Sequence, residues 1–119
     1  KQVNDTLGHQ AGDRVLAEIG RRMTDAGRAV DWLGRYGGEE FLAVLAATSK
    51  AGAVLAAERL RAAVSALPIA TGRTGRTVTL SAGVAAFEGG EWPTTETLVG
   101  AADTALYRAK NDGRNCVRD

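Results

Sequence analysis

Hydrophobic residues return at helical spacing early in the chain: Val15, Leu16, Ile19 and Met23 share one face while Arg14, Glu18, Arg21 and Arg22 fill the other. This predicts a first long helix over residues 10–26, closed by Gly27 in the left-handed conformation open to glycine. From 28 to 36 the helical pattern fails, and Val30, Trp32 and Leu33 suit a strand; a second strand, 40–46, follows the pair Gly37 and Gly38. Two strands parted by Gly-Gly predict a hairpin with positive φ at its tip. Thr48 or Ser49 can cap a second helix, whose Val54, Leu55, Leu60, Val64 and Leu67 form one stripe before Pro68. Residues 70–76, ATGRTGR, read as a loop. Strict alternation from 77 to 87 predicts the clearest strand of the chain. After the loop EGGEWPTT, Thr94 or Thr95 can cap a third helix with Leu98, Ala102, Ala105, Leu106 and Ala109 on its inner face, stopped by Gly113. RNCVR is left as a short final strand. Non-adjacent strands linked by helices predict an α+β sandwich, helices covering a mixed or antiparallel sheet.

Composition bounds the rest. With 119 residues, 45% of them apolar, the chain can bury one core and not two, so a single domain over 1–119 is expected. A formal charge of +1 provides no basic field for nucleic acid or anionic lipid, and any phosphate chemistry must come from local arrangement. Cys116 is alone, which fits a buried thiol in a reducing compartment. The longest apolar run, 41–47, is far too short to span a bilayer.

The stretch RYGGEEF, 35–41, places two acids beside the chain's most permissive backbone. A carboxylate at the rim of a Gly-Gly turn sits where a magnesium-bound nucleotide phosphate could approach closely, and strand alternation lets only one of Glu39 and Glu40 face such a site. Taken alone, the motif reads more readily as an exposed hairpin tip with two solvated acids.

Together with NDTLGHQAGD (4–13), SAGVA (81–85) and ADTALYRAKNDGRN (102–115), however, RYGGEEF resembles the GGDEF family, the diguanylate cyclases. Four blocks in the family's order cover nearly the whole chain. The resemblance implies an α+β fold like the nucleotidyl cyclases and polymerase palms, a ferredoxin-like sandwich with a central, mainly antiparallel sheet flanked by helices. It implies an enzyme that condenses two GTP into cyclic di-GMP with release of two pyrophosphates, each 3′-hydroxyl attacking the α-phosphate held by the partner in a homodimer. Glu39, the motif's third letter, would ligate Mg²⁺ or Mn²⁺ and help remove the 3′-hydroxyl proton. Glu40 matches a position needed for activity, and Lys1 a lysine near the phosphates able to stabilise the transition state. Gly37 and Gly38 would lie against the substrate.

Asn4 and Asp13 match the family's guanine contacts; an amide and a carboxylate complement guanine's O6 acceptor and its N1–H and N2–H₂ donors. A turn role for Asn4 and a helix-capping role for Asp13 are the competing readings. His9, between them, would line the base or ribose pocket or be structural. Lys110 and Arg114 match triphosphate contacts, although cations at a helix end also complement its dipole. Arg28 and Asp31 form an RxxD at the spacing of the family's inhibitory product site, and Arg59 matches a contact to the same cyclic di-GMP from a second subunit; an ordinary surface ion pair is the alternative.

The resemblance also marks what the 119 residues lack. The family's other metal-ligating Asp lies on a strand just upstream of the lysine matched by Lys1, so the domain is expected to be incomplete at its N-terminus, first strand missing, and inactive or unstable unless that piece is supplied. It implies a cytoplasmic domain, attached in its parent to sensory or EAL-type domains, with membrane attachment of the parent left open. Two other functions compete: a silent member that binds GTP or cyclic di-GMP and regulates an attached domain, and an RNA-binding module of the RRM kind. Six aromatics and a balanced charge argue against nucleic acid, since such platforms stack bases on aromatic side chains.

Overall fold

The structure is a computed structural model that describes residues 5–6, 8–71 and 73–119. Among the described residues three long helices dominate: α1 (His9–Ala26), α2 (Lys50–Ser65) and α3 (Thr95–Asn111). The same residues form the short strands β1 (Trp32–Arg35), β2 (Phe41–Val44), β3 (Ile69–Ala70), β4 (Gly75–Arg76), β5 (Ala82–Gly83) and β6 (Val117–Arg118). The α+β class is as expected. The sheet differs: among the described residues it consists of three two-stranded ladders, β1–β2 and β3–β4 antiparallel and β5–β6 parallel, rather than one continuous, mainly antiparallel sheet.

A hydrophobic cluster joins α1, α2 and the first three strands. Val15, Ile19 and Met23 from α1 meet Val64 from α2 and Ile69 from β3, with Leu33, Phe41, Leu60, Val78 and Leu80 packed around them. Each large side chain removed from water here contributes about 1.5–3 kcal/mol. The α2 stripe is rotated from the one the sequence predicts. Ala53, Ala56, Ala57 and Val64 are buried, whereas Leu55 and Leu67 are exposed, because small alanines let the helix approach its neighbours closely. On α3, Ala105 and Ala109 are fully buried, as the pattern predicts.

The helix ends follow sequence logic with one exception. Ser49 caps α2 by accepting from the Gly52 N–H (3.1 Å), and Thr94 caps α3 by accepting from Thr97 (3.1 Å). Gly113 ends α3 at φ 102°, and the Arg114 N–H returns to the Ala109 carbonyl (3.0 Å). Gly27, by contrast, is extended (φ −83°, ψ 173°) rather than left-handed. A Cβ there would stand 3.3 Å from the Met23 carbonyl oxygen, so space rather than handedness favours glycine.

Arg22 ties α1 to the end of α2. Its guanidinium donates to the carbonyls of Val64 (2.8 Å), Leu67 and Pro68 (3.2 Å) and to Glu18 (2.8 Å). It thereby satisfies acceptors that a helix end leaves without partners. Hydrogen bonds from Arg21 and then Arg22 hold the Glu18 carboxyl down to about 2 from an ordinary 4.5.

The strand expected over 77–87 shrinks to β5, extended by a bond from the Val84 N–H to the Arg118 carbonyl (2.8 Å). The final strand likewise keeps only Val117 and Arg118. The stretch read as a loop at 70–76 instead contributes to a small hairpin, closed by Thr71 N–H to the Thr74 carbonyl (2.9 Å); two-residue strands are too short to leave a periodic signature.

Candidate active site

The β1–β2 register pairs Arg35 with Phe41 and Trp32 with Val44, which leaves a five-residue loop, 36–40, carrying both glycines and both acids. Glu40 therefore belongs to the loop and not to the strand. Its carbonyl accepts from the N–H groups of Tyr36 (2.8 Å) and Gly37 (3.2 Å). Arg35 braces the other side, donating to the carbonyls of Gly37 (3.2 Å) and Gly38 (2.6 Å). Neither glycine takes positive φ, contrary to expectation. A Cβ at Gly38 would meet nothing within 4 Å. The fold itself places no steric demand for glycine at this point.

Two of the expected site residues meet directly. The Glu40 carboxylate lies 3.7 Å from the Lys110 ammonium, joining the loop to the C-terminal turn of α3. Both side chains are half exposed, so the contact is worth under about 1 kcal/mol and yields readily to a competing anion. Glu39 is exposed on the same loop.

Arg114 follows α3 in a left-handed backbone (φ 63°), as does Asn115 (φ 48°). Asparagine visits this region readily, but for other L-residues it costs about 1–2 kcal/mol. Arg114 itself is exposed.

His9 and Asp13 lie one turn apart on α1, both exposed. The helix is capped by Gly8 with no side-chain cap, so Asp13 does not serve as the cap. Seven residues on and on the same helix face, Gly20 leaves room for the Phe41 ring; a Cβ there would lie 3.6 Å from it. The face that carries Asp13 thus packs, two turns along, against the strand that follows the GGEE loop. Lys1 and Asn4 lie outside the described residues.

Among the described residues no three His, Cys, Asp or Glu side chains converge, so they form no all-protein metal cage. The exposed acids of the loop nevertheless suit Mg²⁺ or Mn²⁺, since magnesium is commonly held by one or two carboxylates together with substrate phosphates. No helix among the described residues is long and apolar enough to cross a membrane.

Arg28, Asp31 and Arg59 come together elsewhere. All three line a cleft of about 260 Å³ between the end of α1, the β1–β2 hairpin and α2, with Trp32, Leu33 and Leu60 among its apolar walls. Arg28 grips Asp31 with two bonds (3.0 and 2.7 Å) and also donates to the Thr48 hydroxyl (2.8 Å). The Arg28 guanidinium lowers the Asp31 carboxyl below its ordinary range, and the carboxylate raises Arg28 in turn.

Reasoning from sequence missed Arg35, Arg22 and a contact from α2 to Asn115 made by Arg61. The position of Arg35 two residues before the glycine pair was the available signal for the first. The others join residues 42 and 54 positions apart, a separation on which a single sequence is silent.

Comparison with known proteins shows what the chain is similar to. The family model described as "Diguanylate cyclase, GGDEF domain" matches residues 1–116. The response regulator PleD of Caulobacter vibrioides is 46% identical over 119 residues, covering 98% of this chain and 26% of the relative. The chain thus spans about a quarter of that protein's length. Among solved structures, the diguanylate cyclase SiaD of Pseudomonas aeruginosa, in complex with its activator SiaC, superposes with a TM-score of 0.89 at 45% identity, over 98% of this chain and 44% of the other. The coiled coil and GGDEF domain of DgcB from Caulobacter crescentus, in complex with c-di-GMP, gives 0.87 at 29% identity, over 98% and 62%.

Proposed function

Since the chain belongs to the GGDEF family of diguanylate cyclase domains, we propose that the protein containing it condenses two GTP into cyclic di-GMP and two pyrophosphates. One observation carries the reading furthest: the Glu40–Lys110 contact sets the loop of glycines and acids against the helix end that bears the two candidate phosphate-binding cations.

Each subunit binds one GTP. Asp13 and Asn4 read the guanine edge, with His9 one helical turn from Asp13 lining the base or ribose, and Lys1, Lys110 and Arg114 neutralise the triphosphate. Lys110 leaves Glu40 for the stronger phosphate charge. Gly37 and Gly38 let the backbone come close to the phosphates; the open space beside Gly38 supports this, because a side chain there would obstruct only an incoming molecule. Glu39, together with an upstream Asp, would hold Mg²⁺ or Mn²⁺, which when bound offsets the charge on the phosphoryl oxygens. The Glu39 carboxylate also accepts the proton of the 3′-hydroxyl. Across a homodimer, each 3′-oxygen forms a bond to the α-phosphorus of the other nucleotide as the bond from that phosphorus to the pyrophosphate oxygen breaks. A single subunit holds half of the reacting atoms, so turnover requires two. Sensory or EAL-type domains in the remainder of the protein would govern that encounter.

The cleft of Arg28, Asp31 and Arg59 binds the product. Arg28 suits guanine O6 and N7, and Asp31 the donors of the opposite edge. That Arg28 and Asp31 line a cleft rather than a flat surface supports the site over an incidental surface ion pair, and Arg59 would reach the ligand from a second subunit.

Incubating the full-length protein with GTP and Mg²⁺ tests the proposal. Formation of cyclic di-GMP, lost in Glu39→Gln, is the expected result. Nucleotide binding without product would instead identify a silent regulatory member.

A further inference from the structure

The backbone that carries Arg114 is held from outside its own element. Gly113, Arg114 and Asn115 run consecutively through positive φ (102°, 63° and 48°), and only the first is glycine. Backbone of this kind persists where the surroundings over-determine it. Three bonds do so here. The Arg114 N–H closes the end of α3 on the Ala109 carbonyl at 3.0 Å. The Asn115 N–H donates to the Ser81 hydroxyl, just before β5, at 3.1 Å. The Asn115 side-chain oxygen accepts from Nη1 of Arg61 on α2 at 2.9 Å. Arg61 is itself aligned by Glu58 one turn back, whose carboxylate accepts from its Nε at 2.7 Å. A planar guanidinium suits this division, one edge fixed to a carboxylate and the other free to address an amide oxygen.

We propose that Arg61, acting through Asn115, is a positioning residue for Arg114, and that α2 in this way sets the geometry of the triphosphate grip. The inference rests on the reading of Arg114 as a phosphate contact and deepens it. Asn115 is clamped between Arg61 on α2 and Ser81 before β5, so loss of the Arg61 bond frees one side of the turn. Arg114 then samples orientations that no longer face the phosphates, while α3 and its buried alanines stay in place.

The test is a double-mutant cycle on the full-length protein, measuring the Kd of a non-hydrolysable GTP analogue with Mg²⁺. Arg61→Gln is expected to weaken binding by about 3- to 10-fold, within the range of coupling seen between contacting residues. In an Arg114→Ala background the same change is expected to have no further effect. Asn115→Gly, which keeps the left-handed backbone accessible but removes the oxygen that Arg61 grips, is expected to match Arg61→Gln and to be insensitive to it. Hydrogen exchange at the Asn115 amide is expected to quicken in Arg61→Gln at unchanged Tm. An undiminished effect of Arg61→Gln in the Arg114→Ala background overturns the proposal, as does unchanged binding in Arg61→Gln. If Arg114→Ala alone leaves binding intact, the phosphate reading of that residue fails. The exchange rate then decides the clamp separately: faster exchange upholds Arg61 as the holder of the turn, and an unchanged rate removes that as well.

Discussion

Gly83→Ala is the substitution for which the packing makes the firmest forecast. Gly83 sits in β5, facing α3 so closely that an added Cβ would lie 2.0 Å from the Ala102 carbonyl oxygen, 2.2 Å from the Leu106 nitrogen and 2.8 Å from its Cα. All three are backbone atoms of a helix, so no side chain can swing aside. Ordinary contact begins at 3.4 Å, and the helix would therefore have to retreat by more than an ångström. Retreat draws Ala105 and Ala109 out of full burial and strains the pairing of β5 with β6. Gly83 does not occupy positive φ, so alanine gains some stability by restricting the unfolded chain, about 0.4–1 kcal/mol. Overpacking of a tight core costs about 1–3 kcal/mol and sometimes more. A retreat this large belongs at the upper end, for a net loss of about 2–3 kcal/mol. For a domain of this size that lowers Tm by about 10 °C. Thermal unfolding followed by far-ultraviolet circular dichroism is the assay. Gly100→Ala in α3 is the control, because a Cβ there meets nothing within 4 Å and helix propensity alone should raise stability by about 0.5–1 kcal/mol. Gly83→Ala with a Tm equal to that of the unmodified protein, or an equal loss in Gly100→Ala, would refute the reasoning.

The remaining predictions concern charge. Glu18 is held at about 2 in the fold against an ordinary 4.5, so its contribution is complete above about pH 4.5 and disappears as pH falls through 2; the Tm advantage of the unmodified protein over Glu18→Gln should shrink across that window in a pH series. Arg22→Met leaves the carbonyls of Val64, Leu67 and Pro68 without their donor and should cost about 2–3 kcal/mol in urea unfolding. Arg28→Ala should weaken cyclic di-GMP binding in calorimetry by about tenfold or more while leaving GTP binding unchanged. Equal affinity in the variant would reduce Arg28 and Asp31 to a surface pair. Glu39→Gln should lower kcat by about a hundredfold or more with a smaller change in KM, measured by pyrophosphate release.

Helices were legible because their periodicity extends over two or more turns, as in Val15, Ile19 and Met23, and because Ser49, Thr94 and Gly113 punctuate them with recognisable chemistry. Phase within α2 was not, since alanines and leucines are both apolar and only the distance to α1 decides which of them faces inward. The hairpin at 32–44 was visible, but its loop is longer than the sequence suggests, because Glu40 could as well begin a strand as end a turn. Strand alternation over 77–87 describes which side chains meet the core; ladder pairing depends on a neighbour, and here that neighbour reaches only to Val117 and Arg118. As for the site, the motifs marked the GGEE loop and Lys110, and the fold joins Glu40 to Lys110. The supporting shell of Arg35 and Arg61 depends on folded proximity and was hidden.

The chain has two tryptophans, and they occupy very different places. Trp92 is stacked on Phe87 in an exposed loop, with ring centroids 4.3 Å apart, while Trp32 lines the cleft of Arg28 and Asp31. Trp92→Phe would leave one tryptophan within this chain, selectively excited at wavelengths beyond the absorption of Tyr36 and Tyr107, and lining the cleft proposed for the product. Occupancy of that cleft then becomes observable as quenching, without label or coupled enzyme, and separable in time from any chemistry at the GGEE loop.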